Sequence, residues 1–269
     1  MERLSDMSTS EARQQWEAWR EQRVEAVSAP YGPLALTGTH WLADLPDGRI
    51  PDIPGRWTED PVGDGVLLTA EAGDGLTLAG QAFDGVARLG PDSGAETARV
   101  AHGRRKLPVM RREGRWAVRV FDPESAGRAA FAGIDVFDHD ADWVLPGLFR
   151  PYEREQTVEV ANADGRERGL DLAGELVVGF RAEYTLRVAA EADGALWAVF
   201  ADGTSGTSSY RFRFLRPGIP DAEGRLTVDF NRALLPPCAF AEHFICPFPP
   251  PGNRLPVDVR AGERNPLTR

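Results

Sequence analysis

Residues 64–89 read DGVLLTAEAGDGLTLAGQAFDGVARL. Three Asp-Gly pairs, at 64–65, 74–75 and 84–85, punctuate three short β-like runs at 66–69, 76–78 and 86–89. Asp-Gly suits tight turns because glycine adopts positive φ without steric cost and aspartate tolerates it. The regular spacing predicts a meander of hairpins. The same dipeptide returns at 47–48, 164–165, 193–194 and 202–203. Between and beyond these turns lie WAVRVF (116–121), TVEV (157–160), YTLRV (184–188), LWAVF (196–200), YRFRF (210–214) and LTVDF (226–230). Period two with β-branched and aromatic residues marks strands that bury one face. The expected fold is mainly β: an antiparallel barrel or barrel-like packed sheets.

One segment follows another rule. Ala12, Trp16, Trp19, Arg23, Ala26 and Val27 fall on one face at 100° per residue, which predicts an amphipathic helix over 9–28. Ser8 and Glu11 have the spacing of a capping box, and Pro30 with Gly32 ends the helix. Two tryptophans three residues apart are core anchors, which lays the helix on the main domain. The alternative is a homo-oligomer contact through the same helix. The organisation is therefore read as a helical segment, 1–32, and a single β-rich domain, 33–269, that ends in a proline-rich clasp.

Composition narrows the partners. The net charge is −10 over 269 residues. That balance disfavours nucleic acid and anionic membranes, because no phosphate neutralisation is on offer. The basic run Arg104-Arg105-Lys106, with Arg111-Arg112, is read as solvated strand ends. No apolar run approaches ~18 residues, so no membrane span is expected. No basic segment followed by an apolar core marks a secretory signal. Two cysteines make no disulfide framework. The expected setting is cytoplasmic with reduced thiols, and no cofactor is implied.

Chemistry concentrates in residues 229–263, DFNRALLPPCAFAEHFICPFPPPGNRLPVDVRAGE. The stretch holds both cysteines, His243, two Asn-Arg pairs and two proline clusters. Cys238, His243 and Cys246 form C-x4-H-x2-C, three soft ligands that suit zinc, although structural zinc sites favour paired close spacings. Two reduced, buried thiols are the plainer reading. Arg232 or Arg254 suits a bidentate clamp on a carboxylate or phosphate. Asn231 and Arg232, continuing a strand, should point to opposite faces. Cys238 is a candidate nucleophile if a cation lowers its pKa, and His40 is a second catalytic candidate. Asn253, Glu263 and Tyr210 complete the candidate ligand-binding set. His139, between Asp138 and Asp140, and the loop Gly203-Thr204-Ser205-Gly206 need no functional reading. Walker, dinucleotide-binding, zincin and nucleophile-elbow signatures are absent.

At Asp229-Phe230-Asn231-Arg232, Pro236-Pro237-Cys238, Cys246-Pro247, Asn253-Arg254-Leu255-Pro256 and Ala261-Gly262-Glu263, the chain resembles a prokaryotic family with no assigned role, domain of unknown function 1684. Gly38-Thr39-His40-Trp41, Phe131-Ala132-Gly133, Asp202-Gly203-Thr204-Ser205 and Ser209-Tyr210 extend the likeness upstream. The chain departs from the family pattern at Leu234-Leu235, which stand where the family has Tyr-Asn. It departs again at Ala241-Glu242-His243-Phe244, which speaks against His243 as a family-wide ligand. The third departure is Arg211-Phe212, in place of small residues after the tyrosine. The resemblance implies no activity. Two readings follow: a pocket for a small anionic ligand at the Asn-Arg/Pro-Pro-Cys block, or a clasp that only fastens the C-terminus to the barrel.

Overall fold

The computed structural model describes residues 9–180 and 182–269. Helix α1 runs over Thr9–Ser28, as its apolar face predicts. Ser8, the expected cap, lies outside the described residues. Trp16 is buried, and its indole Nε1 donates to the Asn231 carbonyl at 2.9 Å. Contacts divide the chain between Ala130 and Phe131, within the stretch read as one β domain. One unit is residues 25–130; the other joins Phe131–Arg269 to the helix as far as Val24.

The 25–130 unit contains β1 (Leu36–Trp41), β2 (Arg56–Glu59), β3 (Val66–Ala70), β4 (Leu76–Leu78) and β5 (Gln81–Ala82). It continues with β6 (Gly85–Leu89), β7 (Val100–His102), β8 (Arg105–Lys106), β9 (Val109–Arg112), β10 (Arg115–Phe121) and the short helix α2 (Ala126–Ala130). A seven-stranded sheet runs β1-β10-β8-β7-β4-β5 with β9 also on β10, and a three-stranded sheet runs β2-β3-β6. Their shared core includes Trp57, Leu68, Leu76, Leu107 and Val118.

The runs around the first Asp-Gly pairs are strands, as expected, but they do not pair in sequence order. β3 pairs with β6, and the intervening β4–β5 hairpin joins the other sheet. A reciprocal cap between Glu71 and Asp74, followed by left-handed Gly75, turns the chain out of one sheet and into the other. The basic run is matched by carboxylates: Arg105 donates to Asp122 at 2.9 Å, Arg104 to Glu124 at 2.7 Å and Lys106 to Glu96 at 2.8 Å.

In the other unit, β11 (Phe131–Val136) pairs with β18 (Glu263–Thr268). Between them come β12 (Val144–Ala161), β13 (Glu167–Phe180), β14 (Ala182–Ala190), β15 (Leu196–Phe200), β16 (Arg213–Gly218) and β17 (Arg225–Asp229). These form an antiparallel sheet in the order β16-β15-β14-β13-β12-β17, rolled into a nearly closed six-stranded barrel. Leu176, Val178, Leu186, Val188, Phe200 and Val228 alternate into its interior. Rolling the sheet brings its free edges together, which removes most of the unpaired strand edge.

The run at 210–214 becomes a strand only from Arg213. The Tyr210 N–H donates to the Arg264 carbonyl at 2.8 Å, so the start of the run is held by the chain entering β18. Arg213 itself is fully buried. Its Nη2 donates to Asp202 Oδ2 at 2.6 Å and to the Val259 carbonyl at 2.9 Å, and its Nη1 reaches the carbonyl of Ala261. The guanidinium lies over the Phe200 ring at 5.2 Å. Asp202 Oδ1 accepts from the backbone and hydroxyl of Thr204, at 2.7 and 2.6 Å. One ion pair thus joins β16, the 202–209 loop and the returning C-terminal segment. Breaking a buried pair by removing one partner leaves an uncompensated charge and costs about 3–5 kcal/mol. Arg213→Ala is expected to lower the urea unfolding free energy by that amount. A cost below about 1 kcal/mol, the range of exposed ion pairs, would show that the pair does not anchor this segment.

Candidate functional site

After β17 the chain enters a tight turn, Phe230–Arg232, capped by Asp229, which accepts from the Asn231 N–H at 2.9 Å. The expected strand alternation of Asn231 and Arg232 therefore gives way to a 3-10 turn. Asn231 is buried. Its Oδ1 accepts from the Asp140 N–H at 3.0 Å, and its Nδ2 donates to the Asp140 carbonyl at 2.8 Å. Arg232 stays at the surface, 3.3 Å from Asp229 and over the Trp19 ring.

Further along, Glu263 accepts from the Leu235 N–H at 2.6 Å and from Arg23 Nε at 3.0 Å. Burial pushes the Glu263 carboxyl above the usual range, and the Arg23 charge opposes that shift. Asn253 is fully buried and makes three hydrogen bonds. Its Oδ1 accepts from the Arg187 N–H at 2.8 Å, and its Nδ2 donates to the carbonyls of Arg187 and Val199, each at 2.8 Å. Arg254 is exposed. Asn231 and Asn253 are thus engaged with backbone groups and Glu263 with Leu235 and Arg23, while Arg232 and Arg254 lie at the surface.

Tyr210 and Cys238 come together elsewhere. They line a cleft of about 680 Å³ with Arg211, Phe240, Asp164 and Glu242. Pro236 and Pro237 set Cys238 in the turn Pro237–Ala239, since proline fixes φ and the chain must bend there. The Cys238 N–H donates to Cys246 Sγ at 3.3 Å. The Tyr210 hydroxyl lies 3.8 Å from Cys238 Sγ and 3.3 Å from the Cys238 carbonyl, near enough to donate to both. Both cysteines are thiols and both are buried. Arg211 stands at the exposed rim with its guanidinium 4.5 Å from the centre of the Phe248 ring, and also over Tyr210 and Phe212. The Asp164 carboxylate is held by both Nη atoms of Arg168, each at 2.7 Å.

These neighbours act on the thiol. Hydrogen bonding with Cys246 is the largest influence, joined by Tyr210 and by the hydrogen bond and charge of Arg211. Against the opposing effect of burial, they bring Cys238 down from 9.0 to about 7. Burial, followed by the charge of Cys238, pushes the Tyr210 hydroxyl up to about 12, so it remains a proton donor at neutral pH.

Residues 129–264, half of the chain, match the family described as "Protein of unknown function (DUF1684)". The chain belongs to that family. The matched span contains every residue of the DUF1684 cleft. A solution NMR structure of an uncharacterized protein from Haloarcula marismortui is 31% identical, with a TM-score of 0.42, covering 50% of this chain and 77% of that one. No curated protein matches.

The remaining candidates of this DUF1684 protein are not among the residues that line the cleft. His40 lies in β1 of the 25–130 unit, opposite Val118. His139 packs against the Trp16 ring at 5.4 Å. His243 is exposed. The zinc reading of Cys238, His243 and Cys246 is not supported: among the described residues, no group of three or more His, Cys, Asp or Glu side chains is arranged to hold a metal ion. The loop at 203–206 is closed by its own bonds, with Thr204 Oγ1 and Ser209 Oγ 2.8 Å apart. Arg211 enters the sequence reading only as a departure from the family pattern. A cation directly after the tyrosine was the available signal for it. With the thiol at about 7, iodoacetamide alkylation of Cys238 should reach half its maximal rate near neutral pH. Arg211→Ala should move that midpoint upward. A wild-type midpoint in the ordinary thiol range would show that the cleft does not activate Cys238.

Proposed function

We propose that the cleft at the Pro-Pro-Cys turn binds a small anionic molecule, with Arg211 as its charge anchor. One observation carries the reading: Arg211, Tyr210 and Cys238 line a single cleft whose size suits a small ligand. Three aromatic rings brace the guanidinium. That bracing limits the rotamer freedom lost when the planar fork meets a carboxylate or phosphate. The Tyr210 hydroxyl adds a neutral donor beside it. Asp164 faces the same space, but its carboxylate is engaged by Arg168.

The clasp reading has its own support, and it accounts for other residues of the same block. Asn231, Asn253 and Glu263 bind backbone groups far away in sequence. The block therefore fastens the C-terminal segment and, at its Pro-Pro-Cys turn, walls the cleft. Two cysteines held as thiols support a cytoplasmic setting.

A ligand at one hundred times its Kd stabilises the fold by about 2.7 kcal/mol. In a melting screen of phosphates and small carboxylates, at least one is expected to raise Tm by several degrees. Arg211→Ala should abolish the rise, whereas Arg254→Ala and Cys238→Ala should keep it. A shift that survives Arg211→Ala, or no shift with any anion, would refute the assignment.

A further inference from the structure

We infer that Cys238 and Cys246 form a reactive thiol pair that reduces small hydroperoxides in the Tyr210–Arg211 cleft. This activity goes beyond anion binding and does not require it.

Three features of the cleft select this chemistry. First, the nucleophile has donors and a cation around it but no histidine among the residues that line the cleft. Acyl transfer by a thiol commonly relies on a paired imidazole to carry the proton between nucleophile and leaving group. Attack on a peroxide needs only a thiolate and a donor for the departing oxygen. Second, a second thiol lies against the first residue: Cys246 Sγ accepts from the Cys238 N–H at 3.3 Å. Third, the Tyr210 hydroxyl lies 3.8 Å from Cys238 Sγ, where the alkoxide released as the O–O bond breaks can take its proton. Burial keeps that phenol protonated at neutral pH. The other charged groups facing the cleft are Arg211, Asp164 and Glu242.

The step balances as follows. The Cys238 thiolate attacks the terminal oxygen of ROOH, forming an S–O bond as the O–O bond breaks. The departing alkoxide takes the Tyr210 proton and leaves as ROH, and solvent returns a proton to the phenol. Cys246 then attacks the Cys238 sulfenic acid, an S–S bond forms, and water leaves. The thiol pair loses two electrons to the peroxide. A small dithiol restores both thiols by exchange.

Purified, fully reduced protein is treated with one equivalent of hydrogen peroxide or cumene hydroperoxide near neutral pH. Peptide mapping should find an internal Cys238–Cys246 disulfide, which dithiothreitol reverses. Cys246→Ala should stop at a sulfenic acid on Cys238, trapped by a cyclic 1,3-diketone. Cys238→Ala should give neither product. Arg211→Ala should slow the reaction severalfold, because the guanidinium is one of the groups that favour the thiolate. Arg254→Ala should react as wild type. Urea unfolding midpoints establish that each variant is folded, and disulfide mapping of the wild-type chain stands without them. Oxidation no faster than in the urea-unfolded chain, first oxidation at Cys246, or disulfides only between chains would each overturn the proposal. Because anion binding is read by melting and persists without Cys238, either proposal can fail alone.

Discussion

The C-terminal half depends on a charge that has no water. Arg213 is wholly buried, and its two Nη groups donate to Asp202 and to the carbonyls of Val259 and Ala261. A buried pair of this kind is weak evidence for net stability, because desolvation offsets most of the attraction. Its effect here is directional. A planar fork with fixed donors admits few arrangements of its partners. The 202–209 loop and the returning segment before β18 must therefore converge on the same point of β16. Glu263 follows at once and receives Leu235 and Arg23, so the proline-rich block is tied down at both ends.

That convergence creates the cleft. Once the Tyr210 backbone donates to Arg264, residues 210–212 cannot join the ladder with β15. Regular alternation would have put Arg211 and Arg213 on one face. Instead, Arg213 enters the core and Arg211 reaches the rim beside Cys238. Two arginines two residues apart thus do opposite work. The buried one needs a carboxylate and carbonyls because it has no solvent. The exposed one is stacked on aromatic rings and lines the cleft.

The proline clusters and the asparagines serve the same arrangement. Pro236 and Pro237 enter the turn already restricted, so little backbone entropy is lost in placing Cys238. Asn253 replaces missing ladder partners by bonding β14 and β15 backbone groups at once. Its complete burial is tolerable because its donors and acceptor find carbonyls and an N–H. Family membership covers this half of the chain, 129–264, where the barrel, the buried pair and the cleft all lie.

Local periodicity alone determined the helix over 9–28, most of the strands and the Asp-Gly turns, because those depend on which face of a short segment is apolar and on which residues accept positive φ. The sequence also marked residues 229–263 as unusual, and Tyr210 and Cys238 within its candidate set do meet. It did not determine that β3 passes over β4 to pair with β6, because pairing partners are chosen by the whole sheet. Nor did it separate the working arginine from the others: Arg211, Arg213, Arg232 and Arg254 carry the same side chain. Only the tertiary structure assigns one to the core, two to the surface and one to the cleft, because burial, carboxylate partners and aromatic neighbours are set by chain segments far away in sequence.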